Sequence, residues 1–226
     1  MQDVFDVISA AIRSDIAKGE PVYILEESPD ELTIVDDSAQ TGRAIRYIRH
    51  SQITTEWVED RILVTESAKR SEFAVDPHAL AEYLVRVVDM DILHDLEGIV
   101  VVADVDEDWD ELQLEDRHGN RILDVCDLPD DSLLGISWAD YQIVVINLQT
   151  IIETAKEICE DGFGNVEMEV NIGVVTTILH ELFHMAQNDP YAPEELFQNL
   201  PSDPEAQAEV WARDTWDNNG AYILDN

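Results

Sequence analysis

The sequence predicts an α+β fold. Three observations carry that expectation. A helical hydrophobic repeat opens the chain, short apolar runs bounded by turn residues follow, and helical repeats return at the end. With 226 residues and 45% hydrophobic content, the chain can bury one large or two small cores.

Val4, Phe5, Val7, Ile8, Ala11, Ile12 and Ile16 recur at helical spacing, and Gly19 ends that helix. Pro21 marks a change of period. Val22–Leu25 reads as a strand, Ser28-Pro29-Asp30 as a turn and Leu32–Val35 as the return. Thr41-Gly42 predicts another turn and Ala44–His50 a third strand, with Ile45 and Tyr47 on one face. Arg61–Thr65 is a further strand. The polar run Glu66–Glu72 lies between strand and helix patterns and is the expected boundary between an N-terminal unit, 1–72, and a second domain, 73–226.

Asp76 and Pro77 are an N-cap and a first helical residue, and Leu80, Tyr83, Leu84 and Val87 form the stripe that follows. Gly98–Ala103 holds a continuous apolar run fit for a central strand. Glu111–Glu115 and Arg121–Val125 flank His118-Gly119-Asn120 as an expected hairpin. Tyr141–Asn147 is the last clear strand. A helix over Thr150–Cys159 is broken by Gly162 and Gly164, and the next helix is expected from about Asn171.

Fifty acidic residues face thirteen basic ones, giving a net charge of -37 and a pI near 4.1. The acids are spread from Asp3 to Asp225, so they are not one acidic tail. The pattern resembles proteins of halophiles that accumulate salt in the cytoplasm, because molar salt screens such self-repulsion. A cytoplasmic location follows as an expectation, with a place in a virus particle as the alternative. Nucleic-acid binding is disfavoured for want of a large basic patch. Arg43, Arg46 and Arg49 form the main basic cluster, and local acids are the expected partners. No run of eighteen apolar residues predicts a membrane span, and the acidic N-terminus lacks the start of a secretory signal. Cys126 and Cys159 form no Cys-x-x-Cys pair and read as two buried thiols.

The chemistry lies in Val174–Asn188, which contains His180-Glu181-Leu182-Phe183-His184. Residues four apart share a helix face, so both imidazoles can reach one metal ion. Glu181 projects about 100° away, within reach of a water activated by the metal. A chain of this length meets the pattern by chance in about 1% of cases, so the motif carries weight. Asn188 and Pro190 supply the helix stop. Downstream, Pro204-Glu205-Ala206-Gln207-Ala208-Glu209 reads as a second helix, with Ser202 or Asp203 as its N-cap and Glu205 and Glu209 on one face.

His-Glu-x-x-His followed some twenty residues later by Glu-x-x-Ala-Glu resembles the gluzincin pattern of thermolysin-like and neprilysin-like metallopeptidases. The resemblance covers 77–226 and implies a zincin-like core, a mixed sheet packed on an active-site helix, behind the N-terminal helix-plus-sheet unit. It implies that His180, His184 and Glu205 hold zinc, that Glu181 is the general base, and that Glu209 stands behind a ligand imidazole. It implies a peptide or protein substrate that pairs with the edge strand of the sheet. Tyr191 and Tyr222 are both candidate oxyanion donors, and no motif selects between them. Trp211 is expected in the core. His50, His78, His94 and His118 match no ligand spacing. The alternative function is a catalytically silent protein on the same scaffold, such as a component of a large assembly. Oligomeric state is not legible.

Overall fold

The computed structural model describes residues 4–36, 43–104, 107–108, 112, 114, 133–160 and 164–220. These residues form a mixed α+β structure with two sheets. The expected hairpin around His118, the turn at Thr41, Cys126 and Tyr222 lie outside the described residues.

Helix α1 (Val4–Lys18) buries Phe5, Ile8 and Ile12, which share one face. That face packs on an antiparallel sheet of β1 (Val22–Glu27), β2 (Glu31–Asp36) and β3 (Arg43–Ile48). Leu32, Ile34, Ile45 and Tyr47 complete this first core. Arg46 pairs with Glu31 at 2.7 Å, and Arg49 with Asp6 at 2.8 Å. Both thus find the local acids expected of them.

The second sheet has the order β4-β5-β7-β6, from β4 (Ile62–Val64), β5 (Gly98–Val102), β6 (Gly135–Trp138) and β7 (Ile143–Asn147). β4, β5 and β7 are parallel, whereas β6 is antiparallel to β7 and is the outermost strand on that side among the described residues. Every residue of β5 and β7 is buried, as their unbroken apolar runs require. β4 precedes the Glu66–Glu72 run and β5 follows it, so the sheet draws strands from both sides of that run. The start of the run folds as α3 (Glu66–Lys69), with Thr65 accepting from the Ala68 N–H.

One face of this sheet joins the main core with α4 (Pro77–Val87), α6 (Leu148–Ile158), α7 (Val166–Asn188) and α8 (Pro204–Asn219). Asp76 caps α4 as expected, accepting from the N–H groups of His78 and Ala79. The short helices α2 (Thr55–Glu59) and α5 (Met90–Leu93) span one turn or slightly more, too little for a periodic signal. α7 begins at Val166, about a turn ahead of the expected start. Asn165 caps it, and Glu167 and Glu169 sit in the first turn, where the helix dipole favours acids. Among the described residues no helix is long and apolar enough to cross a membrane.

Candidate metal centre

Two helices build the site. α7 is apolar around most of its surface and buries most of its residues between Val174 and Ala186, which fixes the direction of its remaining polar face. His180 and His184 stand one turn apart on that face, with ring centroids 4.7 Å apart. α8 opens with Asp203, whose side chain accepts from the Ala206 N–H, and with Pro204 in its first turn. That cap places Glu205 opposite the two imidazoles. Phe183 faces away from them and stacks on Trp211 of α8, with centroids 5.2 Å apart. Trp211 is therefore a packing residue, as expected, and it locks the two helices together.

Three ligating atoms converge. His180 Nε2 lies 3.0 Å from His184 Nε2 and 3.1 Å from Glu205 Oε2, and His184 Nε2 lies 3.4 Å from the same oxygen. Bonds of about 2.0–2.1 Å at tetrahedral angles place ligand atoms about 3.3 Å apart, so the triangle suits zinc. The donor set, two imidazole nitrogens and a carboxylate, also suits zinc. Among the described residues one group of this kind comes together. The imidazoles are largely covered, while the Glu205 side chain is 74% exposed. The centre therefore opens on the α8 side.

Glu181 is buried, with 8% of its surface exposed. Burial pushes its carboxyl above the usual carboxylate range. His180, a hydrogen bond from the Ser137 hydroxyl, and His184 act against that rise, while Glu205 adds to it. The sequence alone does not single out Ser137. It lies in β6, whose short, half-polar pattern gives no periodic signal. Gly135, two residues earlier on the same strand face, explains the approach. A Cβ there would meet Thr177 Cγ2 of α7 at 2.6 Å. Thr177 precedes Glu181 by one helical turn, so the Gly135–Thr177 and Ser137–Glu181 contacts run side by side.

Other expected residues fall elsewhere. Glu209 is exposed and makes no hydrogen bond or ion pair among the described residues. Behind His184 stands Gln187 instead, with Oε1 2.7 Å from Nδ1. Tyr191 packs edge-on against Tyr47 in the first core, and its hydroxyl lies 3.5 Å from Asp15. Comparison with known proteins finds no matching family model, no matching curated protein and no matching solved structure.

Proposed function

We propose that the chain is a zinc-dependent peptidase with a zincin-like core. The observation that carries this reading is the convergence of His180 Nε2, His184 Nε2 and Glu205 Oε2 beside a buried Glu181. The second sheet supports it as well, because β6, its antiparallel strand, packs against the helix that bears the two histidines.

His180, His184 and Glu205 would hold the ion. Zinc in such a centre acts as a Lewis acid toward a carbonyl oxygen and lowers the pKa of water to about 7. Glu181, turned from the ligand face by one residue, takes a proton from the attacking water and later delivers it to the leaving amine. Ser137 of β6 stands by the Glu181 carboxyl and favours its charged form. Among the described residues β6 is the outer strand on its side of the sheet, and an extended peptide would add to the sheet along that side.

The test is cleavage of unstructured polypeptides in molar KCl by wild type and by Glu181→Gln. Wild type is expected to cleave, and the variant to lose about 10²–10⁴-fold in rate with its zinc content unchanged. Zinc uptake without cleavage of any tested polypeptide would favour a silent scaffold and overturn the enzymatic reading.

A further inference from the structure

We infer that Gln187 is a positioning residue that fixes the tautomer of His184 and anchors the helix carrying Glu205. The inference rests on the reading of this site as a zinc centre. Gln187 follows His184 by three residues on α7, so the two side chains are neighbours on one face. Its Nε2 donates to the Pro204 carbonyl at 2.9 Å and to Gln207 Oε1 at 2.9 Å. Gln207 in turn donates through Nε2 to the Pro201 carbonyl at 2.7 Å.

Hydrogen-bond chemistry allows this chain one assignment. A carbonyl oxygen can only accept. The Pro201 carbonyl therefore requires the nitrogen of Gln207, which turns the oxygen of Gln207 toward Gln187. That oxygen and the Pro204 carbonyl require the nitrogen of Gln187. The oxygen of Gln187 is then left facing His184 Nδ1 at 2.7 Å. Since an amide oxygen cannot donate, Nδ1 carries the ring proton and Nε2 keeps its lone pair. Nε2 is the atom that lies 3.0 Å from His180 Nε2 and 3.4 Å from Glu205 Oε2. An imidazole ligand needs that tautomer.

The same amide holds Pro204, the residue before Glu205. One side chain thus orients a ligand on each helix. A carboxylate at this position would fix the tautomer too, but it could not donate to Pro204. It would also add a third negative charge beside Glu181 and Glu205.

The test uses metal-free full-length protein with isotope-labelled histidine, at a pH where both imidazoles are neutral. Nitrogen–proton correlation NMR reads the tautomer, and competition with a chromophoric chelator reads zinc affinity. Wild type is expected to carry the His184 proton on Nδ1. Gln187→Met should lose that preference and bind zinc on the order of 10–100-fold more weakly. Gln187→Glu should recover the tautomer while regaining affinity in part. A wild-type His184 protonated on Nε2 would overturn the inference. So would a Met variant with the wild-type tautomer and affinity. A wild type with the Nδ1 proton and no zinc uptake would remove the proposed function and leave the tautomer lock standing.

Discussion

Asp189 joins the two cores through a single buried carboxylate. Tyr47 Oη donates to its Oδ1 at 2.8 Å, as does the Tyr191 N–H at 2.9 Å. His94 Nε2 lies 3.5 Å from Oδ2, and its ring stacks on Tyr47. Burial opposes a charge on His94. The contact with Asp189 and the charges of Asp95, Asp189 and Asp91 together outweigh it and hold the imidazole pKa above its ordinary value. A pKa raised in the folded state stabilises in full below the unfolded value of about 6.5 and is lost as pH climbs through the folded value. Thermal unfolding in molar KCl should therefore show stability falling as pH rises through that window, and the fall should be much smaller in His94→Gln. Identical profiles for the two proteins would contradict this role for His94. In the sequence His94 matches no ligand spacing and carries no other signal. Its partners lie on α7's exit and on β3, and only the fold brings them together.

At the scale of elements, the contact between β6 and α7 decides whether Glu181 is held from the sheet side. Gly135 is necessary there because a Cβ would come within 2.6 Å of Thr177 Cγ2 and 3.0 Å of the Val145 carbonyl. The carbonyl belongs to β7 and cannot swing aside. Gly135→Ala should thus cost about 1–3 kcal/mol by overpacking, measured by urea unfolding in molar KCl. It should also lower cleavage by moving Ser137 off Glu181. A change in stability within about 0.5 kcal/mol, the range of an ordinary surface substitution, would show that the strand is free to shift. Legibility differs sharply between elements. The continuous runs of β5 and β7, the Asp76–Pro77 and Asp203–Pro204 caps and the His-Glu helix each carry a local signal, and the structure bears them out. β6 carries none, since its four residues acquire meaning from β7 on one side and α7 on the other. The Glu66–Glu72 run carries no helical signal for a related reason. Its polar residues suit a linker, but Thr65 caps them into a helical turn.

For the molecule as a whole, the net charge of -37 governs how the surface responds to salt. Screening length falls from about 10 Å at 0.1 M salt to about 3 Å at 1 M. The melting temperature should rise steeply between these salt concentrations, and a flat salt response would contradict the reading of the acids as a salt-adapted surface. Among the described residues, several basic side chains pair with nearby acids, as Arg46 does with Glu31 and Lys156 with Glu72. The same excess of acids hides part of the site. Glu205 stands out through its spacing from His180 and His184, and it joins them. Glu209 has the same kind of spacing argument and stays at the surface, while the neutral Gln187 takes the place behind His184. Spacing along α8 brings Glu209 to the correct helix but not to the imidazole, whereas Gln187 is one turn away on the same helix.

The central claim is a three-ligand zinc centre, and metal content tests it most directly. Protein purified in molar KCl, wild type beside Glu205→Ala, would be assayed for bound metal. A three-ligand centre predicts one zinc per wild-type chain, lost or greatly weakened in the variant. No zinc in wild type, or zinc held equally by both proteins, would contradict it.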